Sequence, residues 1–193
     1  MRLNRFVTTA FALAALVGPA AAHTGLGTTH GLTAGFLHPV SGIDHMTVMI
    51  AVGIFATQLA PRALYLVPLT FLGVMVIGAG LGIAAIGLPF VEAGIAFSVL
   101  AMGVAVAMGW RLPLAAAMAL VGTFAVFHGY SHGAEMPLEA SGYAYGAGFV
   151  LATGMLHLIG IGLGLAMQKL PRLQRAVGVV AAAIGIGLLT GWV

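Results

Sequence analysis

The sequence predicts an all-α membrane protein, a bundle of six transmembrane helices that follows a cleaved N-terminal signal peptide. Three observations support this prediction. Of the 193 residues, 61% are hydrophobic and 6% are charged, whereas a soluble domain carries about 25% charged residues. The apolar residues form runs of about 20, the length that crosses a bilayer as a helix. Short breaks separate the runs, which favours antiparallel neighbouring helices.

The composition excludes several classes of protein. Seven Lys or Arg and four Asp or Glu are too few to cover the surface of a soluble enzyme. A formal net charge of +3 is too small for a surface that binds the phosphates of nucleic acid. Because the chain has no cysteine, disulfides, thiolate zinc sites and iron–sulfur clusters are excluded. We therefore expect no nucleic-acid partner and no required cofactor.

Residues 1–22 have the pattern of a secretory signal peptide. Arg2 and Arg5 precede a short apolar stretch, and three alanines end the segment. About 12 apolar residues are too few to span a bilayer, and small residues at this place are typical of a cleavage site. An uncleaved extra helix is the alternative interpretation. Cleavage after Ala22 would make His23 the first mature residue, whose α-amine and imidazole could bind a metal together.

The mature chain, residues 23–193, is expected to form a single domain with six spans. Most of the breaks between apolar runs contain proline or basic residues, which favour loops. The spans are residues 42–60, 63–87, 90–109, 112–130, 143–168 and 173–192.

The basic residues predict how this bundle is oriented in the membrane. In the mature chain they all follow an odd-numbered span: Arg62, Arg111, Lys169, Arg172 and Arg175. Because basic residues are enriched in cytoplasmic loops, these loops are expected in the cytoplasm and the mature N-terminus outside.

Histidines on the later spans are candidates for metal ligands. His128, His132 and Glu135 are spaced i, i+4, i+7 and share a face if the fourth helix persists past Gly133. His157 lies about 21 Å along the fifth span, where an ionisable group is costly and suggests a function. The structural alternative for each histidine is a hydrogen bond to a neighbouring helix.

A second group surrounds the start of the first span. Pro39 suits the first turn of a helix, which would make His38 its cap and place His38 and His45 on one face. Asp44 adds a carboxylate beside them. Imidazole and carboxylate donors without thiolate suit Ni²⁺, Co²⁺, Zn²⁺ or Cu²⁺. Alternatively, Asp44 orients a ligand histidine through its other ring nitrogen.

Three motifs in the chain resemble those of the HupE/UreJ family. Residues 38–45, H-P-V-S-G-I-D-H, resemble its signature H-P-x-x-G-x-D-H. Residues 128–135, H-G-Y-S-H-G-A-E, resemble its H-G-x-x-H-G-x-E, and the segment from Gly148 to His157 resembles its fifth-span pattern. The resemblance covers essentially the whole mature chain, and no motif position departs from it.

The resemblance implies a nickel permease, with cobalt as an alternative cargo, that supplies metal for urease or hydrogenase maturation. It also implies a multi-pass protein of the bacterial cytoplasmic (inner) membrane. The expected partners are the divalent metal ion and the lipid bilayer, and the sequence is compatible with a homo-oligomer. The resemblance implies a role in metal binding for His38, Asp44, His45, His128, His132, Glu135 and His157. A mature N-terminal His23 is compatible with such a role.

Two other functions stay open on the residues alone. An intramembrane zinc hydrolase could use three histidines and an aspartate around Zn²⁺, with an open position for water. A metal-binding membrane subunit that does not transport is the third class. Polar groups strung along a path, from the outer histidines to His157, favour the permease.

Overall fold

The computed structural model describes residues 31–136 and 142–192, and every secondary-structure element in these ranges is an α-helix. The expected signal peptide, residues 1–22, and His23 lie outside the described residues. The all-α class is confirmed. The helices are α1 (Gly31–Ser41), α2 (Ile43–Thr57), α3 (Ala63–Ile83), α4 (Val91–Met108), α5 (Leu114–Ala134), α6 (Gly142–Ala166) and α7 (Pro171–Thr190).

Helices α3 to α7 are long and apolar enough to cross a membrane, and the bent pair α1 and α2 makes a sixth candidate if it counts as one span. Their ends differ from the predicted spans by a few residues, and one of these differences matters for function. The fourth span was expected to end at residue 130, whereas α5 continues to Ala134. His132 is therefore helical, as the face shared with His128 requires.

The first span differs from the continuous helix expected over residues 42–60. Helix α2 has 15 residues, about 22 Å at a rise of 1.5 Å per residue, and an 80° bend separates it from α1. Gly42, at the bend, has an extended backbone with φ −94° and ψ 126°. The prediction that Pro39 begins this helix with His38 as its cap is wrong, because both residues lie near the end of α1.

The physical reason lies in how proline weakens a helix. Pro39 has no amide hydrogen, so it cannot donate to the carbonyl of Gly35 one turn earlier. Proline therefore suits a first turn, but it is also compatible with the last turn of a helix that is about to end. At this end of α1, the Ser41 hydroxyl donates to the carbonyl of His38 at 2.7 Å. The bend at Gly42, rather than a shared helix face, brings α1 over the start of α2.

Helix α2 is the central helix of the bundle. It contacts α3, α4, α6 and α7, and its residues Val48, Val52 and Phe55 are fully buried. Around it, the most extensive pairings are α3 with α5, α4 with α7, and α1 with α6. Large apolar side chains such as Ile77 and Leu158 are exposed on the outer faces, as expected of helices that face lipid. The middle and the end of α2 are thus enclosed by the other helices.

Glycines let α5 lie against α3 with the two backbones in contact. A Cβ atom at Gly129 would overlap the carbonyl of Met75, and one at Gly133 would overlap the next turn of α3. Because lipid supplies no hydrophobic force between helices, small residues are needed for such close packing. The two glycines directly follow His128 and His132, so this contact fixes the position of both histidines.

Candidate metal centre

The predicted site residues lie at one end of the bundle and along its interior. It is the end at which α2 and α6 begin and α5 ends. The described basic residues lie at or near the opposite end, since they flank the ends of α2, α4 and α6 there: Arg62, Arg111, Lys169, Arg172 and Arg175. Acidic and histidine side chains are thus separated from basic ones along the bundle axis.

Three of these residues form an outer cluster: His38 on α1, His132 on α5, and Glu135 just after α5. One ligand atom from each lies within 4.8 Å of the others, close enough for all three to hold one metal ion. Nε2 of His38 lies 3.5 Å from a carboxylate oxygen of Glu135, and these two side chains are 34% and 55% exposed. His132 is 2% exposed. The outer cluster is therefore open to solvent on one side and closed by protein on the other.

Glu135 gives the outer cluster its negative charge. Its hydrogen bond with His38 is the main reason that the pKa of its carboxyl lies below the usual value, although partial burial acts in the opposite direction. Ser131 also donates to this carboxylate, at 3.2 Å. The carboxylate is therefore ionised at neutral pH, and its negative charge attracts a divalent cation.

Asp44 and His45, at the start of α2, form a linked pair. Oδ1 of Asp44 accepts a hydrogen bond from the backbone amide of His45 at 2.8 Å, and it lies 3.0 Å from Nδ1 of the ring. A carboxylate in this place keeps the hydrogen on Nδ1 and leaves Nε2 for a metal. A Cβ atom at Gly42 would overlap the same oxygen, so glycine leaves room for the carboxylate. This geometry favours the orienting role of Asp44.

The imidazole rings of α1, α2 and α5 form a continuous series. The ring centroids are 4.7 Å apart for His38 and His132, and 4.1 Å apart for His132 and His45. The centroids of His45 and His128 are 4.6 Å apart. Consecutive rings thus contact one another in edge-on arrangements.

Phe71 and His157 continue this series towards the middle of the bundle. The Phe71 ring is fully buried, and its centroid lies 5.9 Å from that of His128 and 5.3 Å from that of His157. At a rise of 1.5 Å per residue, His132 is about 3 Å, His128 about 9 Å and His157 about 22 Å from the helix ends at the site. The series therefore descends along the bundle axis.

The described ligand candidates lie at successive depths rather than around one point. Between the outer cluster and His157 lies a middle level, made of Asp44, His45 and His128, and Phe71 separates this middle level from His157. The eighth predicted ligand, His23, is outside the described residues.

Several buried ring nitrogens in the series have no protein partner. Within residues 31–136 and 142–192, nothing hydrogen-bonds to Nε2 of His45, Nδ1 of His128, or either ring nitrogen of His132 and His157. Since buried polar groups are nearly always hydrogen-bonded, an interior series of unpaired nitrogens suits a ligand that is not part of the protein. Nitrogen and oxygen donors of this kind fit nickel, cobalt, zinc or copper as divalent ions.

Sequence analysis missed three side chains that contact the series: Phe71, Phe149 and Ser98. The Phe149 ring lies 4.0 Å from that of His132, measured between centroids, and Oγ of Ser98 lies 2.7 Å from Nε2 of His128. A phenylalanine in an apolar span gives no distinguishing signal. Ser98 could have been found, since it is the lone hydroxyl in the predicted span 90–109.

Comparisons with known proteins agree with the motifs that form this site. A sequence model of the family described as HupE / UreJ protein matches residues 11–188. The curated Protein HupE of Rhizobium leguminosarum bv. viciae is 44% identical over 197 residues, which cover 99% of this chain and 100% of the relative. No solved structure matches the chain. With both matches extending over all the described site residues, the chain belongs to the HupE/UreJ family, a family of nickel and cobalt transporters.

Proposed function

We propose that this protein is a nickel permease, with cobalt as an alternative cargo, that carries the divalent ion into the cytoplasm across a bacterial inner membrane. The observation that supports it best is the series of imidazole rings that begins at a solvent-open cluster and continues to His157. A transported ion must bind and must also leave, so ligands distributed along a path suit transport better than one closed site. The metal would serve urease or hydrogenase maturation, as the motifs imply.

Capture begins at the outer cluster, where a carboxylate and two imidazoles replace water around the ion. His132 belongs to this cluster and also lies beside His45, so the ion moves inwards without leaving imidazole ligands. Cleavage of the signal peptide after residue 22 would add His23 as a further ligand on the outer side.

Within the middle level the ion passes from His45 to His128, and it then passes the ring of Phe71 to reach His157. Phe71 offers no ligand, so the ion crosses this ring only when it exchanges one histidine for the next.

The separation of charges along the bundle supports inward transport. By the positive-inside rule we expect the basic end in the cytoplasm and the outer cluster outside. An inside-negative potential of about 100 mV then favours entry of a divalent ion by about 4.6 kcal/mol, twice the ~2.3 kcal/mol for a unit charge. This corresponds to roughly three decades of accumulation. The proposed transport needs neither nucleotide hydrolysis nor a cofactor.

The zinc hydrolase and the non-transporting subunit are less well supported. A hydrolase keeps its metal in place beside a general base and a bound water, which gives no role to His157 beyond the Phe71 ring. Membership in a transporter family also argues against an enzyme. A metal-binding subunit that does not transport would need only the outer cluster, and it too would give no role to His157.

Uptake of radiolabelled nickel by the purified protein in proteoliposomes tests the proposal, with cobalt and zinc as competitors. Under an inside-negative potential we expect uptake, and a loss of about tenfold or more in Asp44→Asn and His45→Ala. Thr123→Ala is the matched control, since this hydroxyl is exposed and donates to its own helix. Uptake no faster than in protein-free liposomes would refute transport, and nickel binding without uptake would support the binding subunit.

A further inference from the structure

Ser98 is a buried polar residue that has no role in the transport path proposed above. It lies on α4 and is 0% exposed, in a helix whose other buried side chains are apolar. Its Oγ atom lies 2.5 Å from the backbone carbonyl oxygen of Ile95 and 2.7 Å from Nε2 of His128. One hydroxyl therefore contacts two groups at hydrogen-bonding distance.

The single hydrogen of this hydroxyl points to the carbonyl. The oxygen of Ile95 carries only lone pairs, so an approach of 2.5 Å between two oxygens requires the hydrogen to lie between them. The lone pairs of Oγ then face His128. Since Oγ is the acceptor in that contact, Nε2 of His128 must carry a hydrogen and donate it.

A neutral imidazole has one N–H, so the hydrogen on Nε2 leaves Nδ1 of His128 with the lone pair. Nδ1 is also the nitrogen of this ring that has no partner in the described part of the chain. Asp44 acts on His45 in the same way but with the opposite nitrogen, since it fixes the hydrogen on Nδ1 and leaves Nε2 unpaired. In both rings the nitrogen that keeps its lone pair is the one without a protein partner.

We propose that Ser98 is a positioning residue that holds His128 in the tautomer whose Nδ1 atom binds the transported divalent cation. This inference rests on the proposed function, because it assigns the ligand atom within the same site. His45 and His128, whose ring centroids are 4.6 Å apart, then offer Nε2 and Nδ1 to the ion. A carboxylate on α2 orients the first of these ligands, and a hydroxyl on α4 orients the second.

The first test determines the tautomer directly, by ¹⁵N NMR of the full-length protein labelled at histidine. The spectra are recorded without metal and at pH ~8, because this pH lies above the ordinary histidine pKa of about 6.5. The His128 resonances are identified by their loss in His128→Gln. We expect Nε2 protonated and Nδ1 unprotonated in the wild type, and a shift towards protonated Nδ1 in Ser98→Ala. A wild-type His128 that carries its hydrogen on Nδ1 would overturn the inference.

The second test measures nickel affinity of the same proteins in detergent by titration calorimetry. Loss of an orienting partner typically weakens metal binding by about 10–100-fold, and we expect this for Ser98→Ala. Thr123→Ala also removes a hydroxyl that donates to its own helix, but from an exposed position, and should bind as the wild type does. An unchanged affinity in Ser98→Ala would contradict the inference.

These measurements distinguish failure of this inference from failure of the proposed transport. If the NMR and affinity results are as expected but proteoliposomes take up no nickel, the ligand assignment stands and transport fails. If uptake occurs while Ser98→Ala leaves tautomer and affinity unchanged, the inference about Ser98 alone is wrong.

Discussion

At the scale of single residues, Glu135 combines two properties that suit it to capture an ion. It is the carboxylate of the outer cluster, within reach of two imidazoles, and it is the most exposed of the three side chains. Its hydrogen bond with His38 lowers the pKa of its carboxyl, so the charge is present over the pH range in which histidines are neutral. On the proposed path, an ion that arrives from solution would therefore meet this negative charge at the outer cluster.

Replacing Glu135 by glutamine tests this role. Glu135→Gln keeps an oxygen donor but removes the negative charge. At about 4 Å from a divalent ion in water, that charge contributes roughly 2 kcal/mol of attraction. We expect the KM for nickel uptake to rise about thirtyfold, with a smaller effect on the maximal rate. Glu135→Asp keeps the charge and should lose much less. Equal KM values for Glu135→Gln and the wild type would show that the charge does not capture the ion.

Residue-scale reasoning from the sequence named candidate ligands but not the groups that surround them. The spacing of His128, His132 and Glu135 predicts a shared face if the helix persists past Gly133, and α5 does continue to Ala134. Phe71 could not be predicted, because its role depends on how α3 packs beside α5 and α6. That packing depends on contacts between distant segments, which no local spacing encodes.

At the scale of helices, the site depends on close contacts between backbones. The glycines that follow His128 and His132 let α5 touch α3, and α2 lies against α6 in a similar way. There, a Cβ atom at Gly53 would overlap the backbone of α6 at His157. The backbone segments that carry these histidines are thus placed by small neighbours, whereas Asp44 and Ser98 contact the rings of His45 and His128.

Gly129→Ala tests this dependence. The added methyl group would overlap the carbonyl of Met75, and overpacking of this kind typically costs about 1–3 kcal/mol. We expect a lower Tm in detergent and weaker nickel binding, because His128 and His132 move with α5. Gly80→Ala is the control, since open space surrounds that position. Equal effects of the two substitutions would show that the contact of α5 with α3 does not position the site.

The bend between α1 and α2 shows where a sequence pattern leaves the geometry undetermined. The H-P-V-S-G segment is compatible with a helix that starts at Pro39 and with one that ends just after it. Gly42 favours neither, because glycine suits both an N-cap and a break. In the structure the helix ends just after Pro39, because α1 packs on α6, where Gly35 lies against Tyr145. Such a contact between distant segments is not readable from the motif.

At the scale of the whole molecule, the separation of charges is the feature with the clearest consequence. The described basic residues lie at or near one end, and the outer cluster lies at the other. This separation was predictable from sequence because short loops force consecutive helices to alternate in direction. By the positive-inside rule, the same separation predicts the orientation in the membrane.

Single cysteines report this orientation, since the chain has none of its own. We introduce Tyr143→Cys at the site end, where Tyr143 is 96% exposed, and Arg111→Cys at the basic end. In intact spheroplasts, a membrane-impermeant maleimide should label position 143, and position 111 should react only after lysis. The reverse pattern would place the outer cluster in the cytoplasm and contradict uptake.

The central claim, that the histidine series is a path rather than a binding site alone, is tested most directly at His157. His157→Phe keeps an aromatic ring but removes both nitrogen donors at the deep end of the series. Nickel affinity in detergent and nickel uptake in proteoliposomes are measured on the same preparation, with His45→Ala, which should lose both, for comparison. The account predicts that His157→Phe binds nickel as the wild type does but transports it about tenfold more slowly or worse, a barrier increase of at least ~1.4 kcal/mol. Uptake at the wild-type rate would contradict it.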